Sequence, residues 1–305
     1  MSKLINEIEY INEMAEGLPR ELIEKCEQRY NNIIADVAKR ICDEGTRQVV
    51  MLAGPSSSGK TTTANKLCAE CKKNNVNTFV LSLDDFYLNR EDIPLLPDGT
   101  RDFETVYALD LDSFGEIVNA LLRGETVKTP IFDFVTGKRK TEYNEITLGE
   151  KDVVIIEGLH ALNPVITDEI DGKLFKIYIS VSSRIYDRNG KIILNKRNLR
   201  FVRRMVRDFN FRGSSAGQTY SLWKNVTYGE DKYLFPHRDN ADIKINTVHL
   251  YEPCVLKKQA LKLLESDIPD DFAYDVQRLR EALEKFEDID ENLVPKDSLL
   301  REFLG

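Results

Sequence analysis

The sequence holds no apolar run that approaches the length of a membrane span, which argues against a helical membrane protein. It has no excess of positive charge: 43 Lys and Arg stand against 51 Asp and Glu, for a net charge of −8 and a pI near 5.2. A general nucleic-acid binder needs a broad basic face, so that class is set aside. Cysteine is sparse and odd in number, five in all, which suits a reducing compartment better than a disulfide framework. Cys68 and Cys71 form a lone C-x-x-C with no second ligand pair spaced for zinc, and they read as thiols of a packed helix. The stretch Met1-Ser2-Lys3-Leu4-Ile5-Asn6-Glu7 is too polar for a signal peptide. These absences predict a cytoplasmic protein. Internal repeats and low-complexity segments are also missing.

The apolar content is ordinary for a globular chain. Its 305 residues can hold one large α/β domain with appendages or two small domains. The stretch that organises the rest is Gly54-Pro55-Ser56-Ser57-Ser58-Gly59-Lys60-Thr61, which fits G-x-x-x-x-G-K-[ST] at every fixed position. An apolar run, Val49 to Ala53, precedes it as a buried strand. A helix from Thr61 to Lys73 follows, with Ala64, Leu67, Cys68 and Cys71 on one side. Glycines let the backbone turn tightly and bring its N–H groups onto phosphate oxygens. The helix N-terminus adds partial positive charge. Lys60 is placed to reach β- and γ-phosphates, and the Thr61 hydroxyl to ligate Mg²⁺.

Along the chain, residues 1–47 read as helices broken at Leu18-Pro19-Arg20 and stopped near Gly45. The strand Thr78–Ser82 delivers Asp84 and Asp85 to the carboxyl edge of a sheet, where ligands of open α/β folds bind. Pro94, Pro97, Asp98 and Gly99 mark an exposed loop, and Asp112 to Leu122 a helix. Phe132 and Phe134 flank an acid in a loop-rich region, where they either clasp a flat ring or form local core. The strand Val153–Gly158 ends in Glu157, placed like the carboxylate that contacts the Mg²⁺ shell in phosphate-loop proteins. Strands are also expected at Phe175–Ser180 and Ala241–Ile245. Between these two, Arg200, Arg203, Arg204 and Arg207 recur at helical spacing on one face. In an acidic chain with a phosphate loop they read as a lid that closes on phosphates. Helices are expected at Tyr251–Leu264 and Phe272–Phe286, the latter with Tyr274, Val276, Leu279, Leu283 and Phe286 roughly on one side, and a short final helix at 294–304.

From about Val49 to the C-terminus, this order resembles the uridine kinase and phosphoribulokinase family of phosphate-loop kinases, and most of all its uridine kinase-like nucleoside kinases. The resemblance rests on the loop with Thr62, on Ser82-Leu83-Asp84-Asp85-Phe86-Tyr87, and on Asp102-Phe103-Glu104. It continues through Phe132-Asp133-Phe134 with Gly137-Lys138-Arg139, Ile155-Ile156-Glu157-Gly158, Arg203 to Gly213, Phe235-Pro236 and Leu300-Arg301-Glu302-Phe303-Leu304. It implies a parallel sheet flanked by helices, with an arginine-rich lid at about 197–240. The kinase core would span 48–265, between helical extensions at 1–47 and 266–305.

The resemblance also implies roles. Asp84 would be the general base on the acceptor hydroxyl and lie near Mg²⁺. Gly54, Ser56, Ser57, Ser58, Gly59, Lys60, Thr61, Thr62 and Arg204 would bind ATP. Tyr87 and Glu104 would hold the ribose, and Phe132 and Phe134 would line the base pocket. Arg203 and Arg207 would clamp phosphates from the lid, and Thr61, Asp84 and Glu157 would hold the metal. The partner is then a small molecule, a nucleoside, with neither nucleic acid nor membrane and with a homo-oligomer left open. One departure is that uridine kinases place a His shortly after the second aromatic, where this chain has Gly137. Kinases of other hydroxyl-bearing metabolites, phosphoribulokinase- or pantothenate kinase-like, share the same core. A nucleotide switch or mechanical ATPase is a further alternative. The nearest string to a guanine-reading N-K-x-D, Asn195-Lys196-Arg197-Asn198, lacks the acid.

Overall fold

The computed structural model describes residues 5–43, 48–96, 99–134, 136–265 and 268–305. Gly45, Pro97 and Asp98 lie outside the described residues. Two helices lead the chain, α1 (Ile8–Gly17) and α2 (Pro19–Asp43), and the break falls where Pro19 opens the second. Strand β1 (Gln48–Ala53) is buried at every position, runs into the glycine loop and continues as α3 (Lys60–Lys73). Strand β2 (Thr78–Ser82) follows, then α4 (Leu111–Arg123), which is capped by the Asp110 side chain and stopped by Gly124 at φ 81°.

Two small antiparallel ladders come next: β3 (Val127–Thr129) pairs with β6 (Asn144–Ile146), and β4 (Phe132–Asp133) with β5 (Lys138–Arg139). Beyond them lie β7 (Val153–Gly158), the short α5 (Pro164–Thr167), β8 (Leu174–Ser180) and the ladder of β9 (Ile185–Tyr186) with β10 (Ile192–Leu194). The arginine row lies on α6 (Lys196–Arg212), capped by Asn195 and ended by Gly213 at φ 63°. Helix α7 (Ala216–Gly229) starts with a Ser215–Gln218 capping box. Strand β11 (Ile243–Asn246), α8 (Glu252–Leu263), α9 (Ala273–Leu283) and α10 (Arg301–Leu304) complete the chain.

Five strands form one parallel sheet in the order β11-β8-β1-β7-β2. The central β1 and β7 are buried throughout, as strands covered on both faces must be. Helices flank this sheet, as the sequence leads one to expect. Among the described residues no helix is long and apolar enough to cross a membrane.

The two terminal segments differ from separate appendages. Ile11, Leu22, Tyr30, Ile34 and Ile41 belong to the same hydrophobic cluster as Val50, Leu52 and Ile155 of the sheet. Leu299, Leu300 and Phe303 from the C-terminus join it, each fully buried. Only Arg301–Leu304 is helical in the tail, less than the span read from sequence, because turns carry the chain from Pro295. Of the residues read on one side of α9, Tyr274 is 71% exposed, while Leu279, Leu283 and Phe286 face the core.

Phe303 packs its ring 5.2 Å from the Arg203 guanidinium carbon. We expect Phe303→Ala to cost about 3–5 kcal/mol, as deletion of a large buried ring does. Urea unfolding measures it, and a loss under about 1 kcal/mol would show that the tail is no part of the core.

Candidate active site

Three chain segments meet at the carboxyl edge of the sheet. The register aligns Leu52 of β1 and Ser82 of β2 with Glu157 of β7, so the loop after β1 and Asp84 after β2 flank Glu157. This is the crevice where ligands bind in open α/β sheets. The loop after β1 takes its shape from glycine. Gly54 leaves no room for a Cβ, which would lie 2.6 Å from the Ile179 carbonyl oxygen. Gly59 is left-handed at φ 90°, and Leu299 of the tail sits where its side chain would go. Ser57 is also left-handed, at φ 57°.

The loop carries buried oxygens without partners. Ser57 Oγ and Ser58 Oγ accept and donate nothing among the described residues. Buried polar atoms of this kind call for a ligand, and with the start of α3 beside them they fit phosphate oxygens. Lys60 Nζ meanwhile donates to the Gly54 carbonyl at 3.0 Å. The Thr61 side chain is exposed. Thr62, read as an ATP contact, donates its hydroxyl to Glu302 Oε2 at 2.6 Å.

Carboxylates crowd the floor of the cleft. Glu157 is buried, and burial pushes its pKa up to about 7, with Lys60 and the Ser82 hydroxyl bond opposing and Asp84 adding to the rise. Asp84 is exposed to solvent, yet desolvation by the protein around it raises its pKa against the pull of Lys60. Glu104 is half-buried and pushed up to about 7, by burial first and then by Glu230. Gly229 at the end of α7 packs against Glu104, so only glycine fits there. Among the described residues no three acidic, His or Cys side chains form a metal cage.

Beside Asp84 stands an aromatic cluster. Ring centroids of Phe132 and Phe134 are 5.0 Å apart, and those of Tyr87 and Phe132 5.7 Å. Phe134 is 59% exposed, so the cluster has an open face. Tyr87 donates its hydroxyl to the Phe103 carbonyl at 2.9 Å. Asp85 accepts the Phe132 N–H and so anchors β4 rather than facing the loop. Gly137 turns the β4–β5 hairpin at φ 69°, and a Cβ there would lie 2.9 Å from Arg90 Nε. Arg90 therefore occupies the space that a side chain at 137 would use.

The arginine row departs from the expected clamp. Arg203 is fully buried and pairs with Glu252, donating also to the Thr247 carbonyl at 2.9 Å. Arg200 is buried against Glu230, with its two terminal nitrogens donating at 2.7 and 2.6 Å. Arg207 donates twice to Asp208. The physical reason is non-local: α6 packs against α8 and α10, which bring carboxylate and apolar partners to its inner face. Arg204 does reach the loop, donating to Ser56 Oγ at 2.7 Å. Arg212, part of the basic run but left out of the expected site, has a charge that reaches Asp84 and Glu302. Its position at the end of the arginine row was the only signal for it. Glu230 carries no such signal, because it meets the loop across 174 residues of sequence, and Glu302 is visible only as part of the tail motif, with nothing that places it against Thr62.

The profile of the Phosphoribulokinase / Uridine kinase family matches residues 49–252. Uridine kinase of Staphylococcus haemolyticus is 28% identical over 199 residues, 65% of this chain and 86% of the relative. Uridine kinase of Bacillus pumilus is likewise 28% identical over 199 residues, with 85% of its length matched. The solved structure of D-glycerate 3-kinase from Cryptococcus neoformans superposes with a TM-score of 0.46 at 17% identity, over 69% of this chain and 89% of that one.

Glu157 yields a pH test. The folded carboxyl holds its proton up to about pH 7, whereas the ordinary group releases it near 4.5. Protonation therefore stabilises the fold below pH 4.5, and that contribution is lost as pH rises through 7. Without nucleotide, we expect Glu157→Gln to remove part of the stability decline between pH 4.5 and 7 in chemical denaturation. An unchanged profile would contradict the buried-carboxyl account.

Proposed function

The chain belongs to the phosphoribulokinase and uridine kinase family, and from that premise we propose that it transfers the γ-phosphoryl group of ATP to the 5′-hydroxyl of a nucleoside. The observation that carries the acceptor class is the open aromatic cluster of Tyr87, Phe132 and Phe134 beside Asp84. A flat ring stacks on such a cluster, and Glu104 offers a carboxylate to ribose hydroxyls.

Phosphoryl transfer depends on positioning and on neutralising charge more than on covalent chemistry. The loop amides, Ser57 and Ser58 hold the phosphates, and Lys60 swings from the Gly54 carbonyl onto them. Arg204 and Arg212 add positive charge at the mouth. Thr61, Asp84 and Glu157 would hold Mg²⁺, directly or through water, and the ion supplies charge neutralisation at the phosphates. Asp84 accepts the proton of the attacking hydroxyl, and its raised pKa brings it closer to that task. Arg203 acts at a distance, by holding α6 and the loop together. Arg90 over Gly137 edges the base pocket, so the choice of base differs from that of a site reading the ring with a neutral imidazole.

The test is ADP release from MgATP with a panel of pyrimidine and purine nucleosides, glycerate and sugar phosphates, against a blank without acceptor. A nucleoside that raises the rate well above the blank supports the reading. Acceleration by a non-nucleoside alone would replace the acceptor, and a fast blank would favour an ATPase. Asp84→Asn is expected to lower kcat by about 10²–10⁴-fold, the usual worth of a general base, and to leave ATP binding nearly intact. Near-normal turnover would remove Asp84 from that role.

A further inference from the structure

A second cavity, of about 800 Å³, lies outside the cleft. From α6 it is lined by Lys196, Arg197, Asn198 and Phe201, whereas Arg200 and Arg203 turn away to Glu230 and Glu252. Its other walls come from α7, α9 and the β9–β10 region. The volume suits a small organic ligand.

The lining has two chemical characters. One is aromatic: Phe201 stands 4.2 Å from Tyr220 and 5.4 Å from Trp223, and Tyr220 stands 5.2 Å from Phe272, centroid to centroid. The other is cationic. Arg184, Lys196 and Lys224 are exposed and make no ion pair among the described residues, and Arg278 lies over the Tyr274 ring. Arg197 is already paired with Asp231, and Asp275 is the one carboxylate in the lining. A concentration of unpaired cations around rings in tilted and edge contact stands out in a chain of net charge −8.

One wall leads to the phosphate loop. The Arg200 guanidinium carbon lies 5.3 Å from the centre of the Trp223 ring. The same guanidinium donates to Glu230 and to the Ser56 carbonyl, and Glu230 accepts the Ser56 N–H at 2.8 Å. Trp223, Arg200 and Glu230 are thus a short packed connection from cavity to loop.

We propose that this cavity is an effector site for a nucleoside phosphate. The flat base stacks on the Trp223 side, and the phosphates meet Arg184, Lys196 and Lys224. Occupancy biases the loop through Arg200 and Glu230, because a ligand acts on a second site only by differing in affinity for its states. The inference does not depend on which acceptor the cleft takes.

Trp223 is the single tryptophan of the chain, so its fluorescence reports this cavity. The probes are UTP, CTP, GTP and ATP with Mg²⁺, and uridine and inorganic phosphate as ligands carrying one half of the recognition each. Titrations are made on the wild type, on Lys60→Ala to weaken phosphate binding in the cleft, and on the double variant Arg184→Glu with Lys224→Glu. The double variant should keep basal kinase activity and the wild-type circular dichroism spectrum, since both positions are exposed and outside the cleft. The proposal expects a saturable change with at least one nucleotide that persists in Lys60→Ala and weakens at least about tenfold in the double variant. It also expects uridine and phosphate each to bind more weakly than that nucleotide. Absence of any response overturns it. So does a response lost in Lys60→Ala, or one untouched by the double reversal.

Discussion

A phosphate loop works only if its amides stay turned toward the ligand, and this structure secures that from behind. Tyr30 on α2 bonds to the Thr63 hydroxyl at 2.7 Å, and Thr63 donates to the Gly59 carbonyl at 2.6 Å. Arg200 and Arg203 donate to the Ser56 and Ser57 carbonyls from α6, and Leu299 closes over Gly59. These carbonyls are engaged in the protein, the Ser56 and Ser58 N–H groups donate to Glu230 and to the Pro55 carbonyl, and the Ser57 and Ser58 hydroxyls are left without protein partners among the described residues. The two buried ion pairs are weak evidence of net stability in themselves, because desolvation offsets attraction. Losing one partner is another matter, since the other charge is then stranded inside.

The same constraint explains the terminal segments. Helix α2 and the C-terminal tail look from sequence like additions to a kinase core, yet both supply contacts to the loop and its helix. The cleft meanwhile collects acids, with Glu157 and Glu104 at raised pKa values and Lys60 folded back on the Gly54 carbonyl. Under the proposed kinase reading, phosphates would draw Lys60 forward and a divalent ion would relieve the carboxylates.

The sequence was most legible where the signal is local. The glycine loop follows β1 directly, Asp84 follows β2 and Glu157 sits near the end of β7, and this order alone implies the crevice. The aromatic cluster is half legible: Phe132 and Phe134 stand out, but their spacing does not decide between core and ligand wall, and the structure adds that Phe134 is exposed. The arginine row misled because helical spacing gives a face and not its surroundings. What faces Arg203 is Glu252, 49 residues on, and what faces Arg200 is Glu230, 30 residues on. Tyr274 failed for the same reason, as a helix at the surface leaves its first turn outside. Gly137 was visible as a departure, but the Arg90 side chain above it was not.

The measurement that tests the account most directly is amide hydrogen exchange over residues 54–62 in the ligand-free protein, read against exchange in β1 and β7 of the same molecule. Glu252→Gln breaks the buried pair of Arg203, whereas Arg207→Gln alters an arginine that pairs with Asp208 and makes no hydrogen bond to the loop among the described residues. The account predicts that Glu252→Gln lowers protection of the loop more than that of the strands, and that Arg207→Gln leaves their ratio unchanged. Loop protection that falls only in step with the strands in Glu252→Gln, or that falls equally in both variants, would contradict a loop held from behind by α6.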